Sequence, residues 1–327
     1  DLMHLSLPYV QWMLAGSPLL FVYIIYTSIL RGVGDSTTPL LALALTSVIG
    51  VIITPILLKG YFGFPALGII APAIASIISY IAILIFLAIY LNKKKHPLRP
   101  NRQLLQHIRH NSALSKIILR LGVPTGIQMI TTSMAGLVIV GLVNRFGAHA
   151  TAAYGAVNQV LNYIQFPAIS ISIAASIFAA QAIGAGKSDL LARVTRTALG
   201  MNFLFTGALI ALGYLFSKYL MALFITDPTV VVLGQQLLFI VLWAILFFGA
   251  GAIFASIMRA SGTVTVPMLI NISAILFIEM PCAYWFSSMW GLKGIWVAYA
   301  LAFVSLCIIQ GLYYQFIWKK KKIKVLI

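Results

Sequence analysis

The chain has 327 residues, of which 61% are hydrophobic and 8% charged, with a mean hydropathy of +1.03 and a formal net charge of +17. So much apolar side chain exceeds what a soluble protein of this length buries, which excludes a soluble fold and makes the chain integral to a membrane. A charge of this sign suggests nucleic acid in a soluble protein; here the basic residues fall in alternate loops, so the charge reports topology and no nucleic-acid partner is expected.

In chain order, apolar runs of the length that crosses a bilayer as a helix, about 20 residues, lie at about 8–30, 39–58 and 65–91. A basic stretch, Asn92 to Lys116, follows with Pro97 and Pro100. Six further runs lie at about 117–143, 154–184, 195–217, 229–257, 266–289 and 291–317. The expected fold is an all-α polytopic helix bundle of nine spans. One set of loops and ends, including Arg31, the basic stretch, Lys187, Arg193, Arg196, Arg259 and the C-terminal lysines, carries 18 of the 22 Lys and Arg residues, and the other carries Lys59, Arg145, Lys218 and Lys293. The richer set is cytoplasmic by the positive-inside rule, so the basic stretch and the C-terminus face the cytoplasm of a cell inner (plasma) membrane. Within the basic stretch, Gln103 to Leu114 reads as an interfacial amphipathic helix. His107 and His110 there lack an acid or cysteine companion, so they read as part of a solvated face and no metal site is expected.

Arg31-Gly32-Val33-Gly34-Asp35-Ser36-Thr37-Thr38-Pro39 returns as Arg259-Ala260-Ser261-Gly262-Thr263-Val264-Thr265-Val266-Pro267. At nearly the same offset Pro55 matches Pro281, Gly68-Ile69 matches Gly294-Ile295, and Lys93–Lys95 matches Lys319–Lys321. Six spans, an even number, separate the motif copies, so the repeat is parallel and both motif loops face one side. The expected organisation is 1–95, three spans of an N-terminal lobe; 96–115, a cytoplasmic inter-lobe linker; and 116–327, a C-terminal six-span lobe. Because 30 residues precede Arg31 whereas about 143 separate the linker from Arg259, nine spans of a full twelve are expected here, with a front segment missing.

In each motif loop Gly34 or Gly262 permits a tight turn and Pro39 or Pro267 starts the next helix. Arg31 and Arg259 at the helix ends are candidate gating residues. Residues 181–188 end in Gly-Lys-Ser, but Gln181 stands where a phosphate loop needs Gly and no strand precedes it, so Gly184 and Gly186 read as a helix-ending turn. Cys282 and Cys307 read as small buried side chains. Of the five acids, Asp1, Asp35, Asp189 and Asp227 fall at loops or helix ends, where charge costs little. Glu279 alone lies within a span, where an ionisable group is expensive; it is the candidate for binding a proton, Na⁺ or a cationic substrate. Gln128, Thr131, Thr132, Ser133, Asn158, Gln159, Asn162, Tyr163 and Gln165 concentrate polar groups in the first two spans of the second lobe, with Asn202 and Asn271 further on. Of these, Gln128, Asn158, Asn162, Tyr163 and Asn202 are the candidate cavity contacts, Asn158 and Asn162 sharing a helix face.

The Leu30-Arg31-Gly32-x-Gly34-Asp35-x-x-Thr38-Pro39 motif, its second copy, Gly184-Ala185-Gly186-Lys187 and the closing Gly-x-x-Gly-Ile pattern resemble the multidrug and toxic compound extrusion (MATE) family, from its fourth helix to its twelfth. The resemblance implies two six-helix lobes and export of amphipathic, often cationic drugs or toxic organic cations in exchange for H⁺ or Na⁺, with no other cofactor. It also implies second-lobe acids on the seventh and tenth helices or an aspartate on the first; around Thr132 and Phe248 this chain has none, which leaves coupling to Glu279 or to the missing segment. The leading reading is thus a secondary-active multidrug exporter working by alternating access, a monomer whose other partner is membrane lipid. A flippase for a lipid-linked saccharide is the nearest alternative, which the lack of a basic central cavity disfavours; a non-transporting membrane subunit or an enzyme is weaker, since no clustered acids, histidines or metal motif appear.

Overall fold

The structure is a computed structural model, describing residues 2–63, 65–99, 111–187 and 189–320. Among these residues nine helices are long and apolar enough to cross a membrane: α1 (Ser6–Gly32), α2 (Thr37–Lys59), α3 (Gly68–Lys93), α4 (Ser112–Asn144), α5 (Ala148–Gly184), α6 (Leu190–Leu215), α7 (Pro228–Ala260), α8 (Thr265–Trp290) and α9 (Leu292–Lys320). No strand occurs among them. Their outer faces are apolar: Leu40, Leu43, Val51 and Ile52 of α2 are each more than half exposed, which only a lipid solvent tolerates.

The helices outrun the apolar stretches because capping groups, not hydropathy, set their ends. Asn111 caps α4 by accepting from the Ala113 and Leu114 amides (3.0 and 3.2 Å), so Ser112 to Leu114 form the first turn of α4 rather than the end of a separate interfacial helix. The rest of that expected helix, with His107 and His110, lies outside the described residues. Pro8, Pro18, Pro55, Pro124 and Pro167 sit inside helices that continue past them.

The chain divides into two units, Asp1–His110 and Asn111–Ile327. In unit 1, α3 packs on α1 and α2, burying Leu30, Ala42, Ile83, Leu87 and Leu91. In unit 2, α7 packs on α5 and α9, and α8 on α4 and α9. A core of Val157, Leu161, Leu237, Leu238, Leu242, Ile295 and Trp296 joins α5, α7 and α9.

Both motif loops are the same turn. Gly34 (φ 94°) and Gly262 (φ 82°) take the left-handed conformation that only glycine adopts without strain. The Asp35 amide donates to the Leu30 carbonyl (3.0 Å) and the Thr263 amide to that of Met258 (3.1 Å), the six-to-one bond of a Schellman helix end. The Gly-Ala-Gly-Lys turn repeats it: Gly186 has φ 70° and the Lys187 amide donates to the Ala182 carbonyl (2.9 Å). That geometry ends a helix and cradles no phosphate.

Candidate functional site

The site grows from one face of α5. Ala148, Ala152, Gly155 and Gln159 succeed each other at spacings of four, three and four, which places them along one helix face. Three of the four are too small to fill the space before them. Across from them runs the segment Phe224 to Asp227, and between the two walls lies an open cavity of about 610 Å³. A methyl added at Gly155 would meet nothing within 4 Å, so this glycine marks open space rather than a close helix contact.

Asp227 supplies the charge. It caps α7, whose first residue is Pro228, by accepting from the Thr229 amide (2.8 Å) and hydroxyl (2.7 Å) through Oδ1. Its Oδ2 lies 3.6 Å from His149 Nδ1, and both residues line the cavity. Hydrogen bonds from the Thr229 hydroxyl and amide hold the carboxyl below its ordinary value, so Asp227 is an anion at neutral pH. The structure places Asp227 at a helix end, as its sequence position suggests, and adds that it lines this cavity. The signal was present in the Asp-Pro-Thr start of α7 and in the small-residue face of α5, but their meeting depends on packing.

Below the cavity the same face of α5 continues with Asn162 and Tyr163, both exposed, Tyr163 by 53%. The Gln159 amide points toward the Tyr163 hydroxyl (3.5 Å), and the Tyr163 ring meets Phe166 edge-on (5.9 Å). Exposed amide and phenol groups in mid-span suit a wet or protein-lined surface, not lipid tails. Asn158, half-buried, turns away and donates to the Tyr154 carbonyl (3.1 Å).

Glu279 occupies the end of a π-helical turn, Ile275–Glu279, inside α8. Pro281 lacks the N–H that would bond to the Phe277 carbonyl, and just before it the Met280 amide reaches back five residues to Ile275. The widened turn sets the Glu279 carboxyl within electrostatic reach of the Tyr299 hydroxyl on α9. That hydroxyl pairs with the Tyr154 hydroxyl on α5 (3.0 Å), and both rings pack on the buried Trp296. The two phenols thus join α5 to α9, with the Glu279 carboxyl of α8 within electrostatic reach of one of them.

Gln128 and Arg259, expected in different roles, meet: the Arg259 guanidinium donates to Gln128 Oε1 (3.1 Å), bridging the end of α7 to α4, while its buried Nε finds no partner. Among the described residues Arg31 donates to Ser28 on its own helix (3.0 Å). Thr131 and Thr132 return their hydroxyls to carbonyls of α4 (2.9 and 3.0 Å). Asn202, expected on a cavity wall, is instead fully buried: it donates to the Leu246 carbonyl (3.1 Å) and accepts from Thr206 (3.0 Å), tying α6 to α7. Hydropathy does not tell which way a polar residue in a span faces, and here the rotation of α6 turned it inward. Cys282 and Cys307 are free and half-buried. Among the described residues no group of three or more His, Cys, Asp or Glu could hold a metal.

The MatE family model matches residues 124–285. The probable multidrug resistance protein YoeA of Bacillus subtilis is 44% identical over the whole chain and 71% of its own length. The probable multidrug resistance protein YpnP of the same organism is 29% identical over 99% of this chain and 71% of its own length. An FAD transporter of Shewanella oneidensis is 26% identical over 89% of this chain and 64% of itself. Among solved structures, a MATE protein in its straight conformation superposes with a TM-score of 0.86 at 20% identity, covering 95% of this chain and 69% of that one. The Vibrio cholerae MATE transporter VcmN gives 0.86 at 19% identity, covering 96% and 70%. At such identity the structural likeness speaks for the fold alone.

Proposed function

The chain belongs to the MatE family, whose members are transporters and not enzymes, and from that premise we propose that it exports amphipathic organic cations against an inward flow of H⁺ or Na⁺ across the cell inner membrane. The observation that carries the reading is the α5 cavity: an ionised Asp227 beside apolar Phe224 and Ile225, opening onto the exposed polar face of Gln159, Asn162 and Tyr163. A carboxylate attracts the charged end of such a compound, the apolar wall takes its body, and amides and a phenol adapt to varied shapes. Relatives named multidrug resistance proteins support the substrate class. The relative named an FAD transporter is the specific observation behind a second reading, in which the cavity takes anionic cofactors; Asp227 disfavours it.

Glu279 is the residue we assign to coupling. Its surroundings, two phenol hydroxyls and aromatic rings, suit a proton better than a hard cation, which takes several oxygens. Protonation would relieve the cost of a carboxylate at depth and bias which side of the transporter is open, the requirement for alternating access. Arg259, held by Gln128, and Arg31 are assigned to the gates. The test is efflux of ethidium from proteoliposomes under an imposed H⁺ or Na⁺ gradient. Ethidium should move only with a gradient, and Asp227→Asn, which keeps the capping oxygen and removes the charge, should slow it. Gradient-independent movement, or none with either ion, would overturn the reading.

A further inference from the structure

A second cavity of unit 2, of about 270 Å³, lies between α6, α7 and α9 and has no part in the site above. Arg196, in the second turn of α6, and Lys319, at the end of α9, stand at its mouth with Gln315 between. Lys319 reaches Gln315 at 3.5 Å, and no carboxylate forms an ion pair with either cation among the described residues. The floor is Leu199 and the Phe254 ring, which lies so close to α9 that a methyl at Gly311 would touch it at 3.3 Å. The groove's own polar groups are spent on each other: Thr195 and Tyr314 share a hydrogen bond of 2.7 Å. What remains is two cations without counter-charge above an apolar slot.

We propose that this groove holds one anionic phospholipid, its headgroup phosphate on Arg196 and Lys319 and a stretch of acyl chain against Leu199 and Phe254. The shared chemistry of the mouth is recognition of a phosphate anion; the floor selects lipid over free phosphate. The volume is below the range of about 300–1,000 Å³ usual for drug-sized ligands, and basic pockets between spans at a membrane face are suited to anionic headgroups. Lipid binding in this groove depends on the chain's place in a bilayer and not on what it transports.

The test is native mass spectrometry of the purified protein from nanodiscs of equal dioleoyl-phosphatidylglycerol and dioleoyl-phosphatidylcholine, counting retained lipid. The wild type should retain phosphatidylglycerol in preference. Each basic residue near an anionic surface contributes about fivefold in affinity, so Arg196→Gln with Lys319→Gln should lose roughly 25-fold. Lys187→Gln with Lys320→Gln, an equal loss of charge outside the groove, should keep the preference. Ala192→Phe, at an exposed position of the groove wall, should weaken retention with the charge intact. An equal loss in the Lys187/Lys320 pair would mean diffuse surface charge and overturn the site. Unchanged retention in Ala192→Phe would overturn the acyl-chain half, and full displacement by inorganic phosphate would reassign the mouth to a free anion.

Discussion

Gly249 is a position in unit 2 where a methyl would strike a buried polar tie. A Cβ at this position would lie 2.2 Å from Asn202 Oδ1, 2.8 Å from Asn202 Cγ and 2.8 Å from Ala168 Cβ. Carbon contacts want about 3.5–4.0 Å, so α7 must retreat from α5 and α6 by roughly an ångström, or Asn202 must swing away. Ala168 has no torsion to yield. Asn202 can move only by abandoning the Leu246 carbonyl and Thr206 in a site without solvent. Overpacking costs about 1–3 kcal/mol and an orphaned buried amide about 1–3 kcal/mol, so Gly249→Ala should destabilise unit 2 by about 2–5 kcal/mol. Reversible unfolding in mixed micelles, followed by tryptophan fluorescence, reads this directly. Asn202→Ala removes the oxygen that the new methyl strikes, so Gly249→Ala in that background should cost about 1–3 kcal/mol less than in the wild type. Simple additivity of the two substitutions, or a loss below about 0.5 kcal/mol for Gly249→Ala, would refute the packing argument.

Glu279→Gln should abolish the pH dependence of ethidium efflux while leaving the fold intact, since the amide keeps the size of the carboxyl; unchanged coupling at every pH would reduce Glu279 to a structural residue. Asp227→Asn should weaken equilibrium binding of ethidium and leave an uncharged dye of like size unaffected, read by fluorescence anisotropy; equal loss for both dyes would point to a collapsed cavity. In unit 1, partial burial pushes Asp35 up, but hydrogen bonds from the Thr38 hydroxyl (2.5 Å) and amide (3.0 Å), with the charge of His96, outweigh it and hold it below its ordinary 3.8. A depressed carboxyl stabilises fully above its unfolded value and loses that contribution as pH falls through the folded one, so the window opens below about pH 4. Asp35→Asn should flatten the acid limb of a stability-against-pH curve, and an unaltered limb would show that Asp35 is not among the groups responsible.

The spans and the helix-ending turns were legible because each depends on neighbours in sequence. A run of apolar residues sets a span, and a glycine four positions before Thr38 or three before Thr265 sets a turn. Even the π turn before Glu279 has a local trace, since Pro281 cannot donate its amide. The site was less legible because its members meet only through packing. Asp227 looks like any loop acid until Thr229 fixes one oxygen and the small face of α5 stands across from the other. Gln128 and Arg259 form one bridge although 131 residues separate them. Asn202 and Asn162 are alike in composition and setting, yet one is sealed between α6 and α7 and the other exposed on α5, and only the rotation of each helix decides between a tie and a cavity wall.

The two motif copies carry this distinction to its end. Backbone geometry is common to both, because a Schellman turn needs only a glycine with positive φ and a carbonyl five residues back. What each loop grips differs. The first sets Asp35 opposite His96 (3.9 Å), in the segment beyond α3, and the Tyr26 hydroxyl donates to the Leu98 carbonyl of that segment (2.7 Å). The second accepts, through Ser261, the indole N–H of Trp318 at the end of α9 (3.1 Å). Trp318 is buried and stacked on Tyr314 (5.1 Å), and where the first copy has Asp35 the second has Thr263, whose hydroxyl pairs with that of Ser261 (3.2 Å). Each loop therefore pins the end of its lobe's last helix, by charge in unit 1 and by a neutral hydrogen bond in unit 2. Acid weakens the first clasp and leaves the second untouched, so the repeat keeps the turn while confining its sensitivity to protons to unit 1.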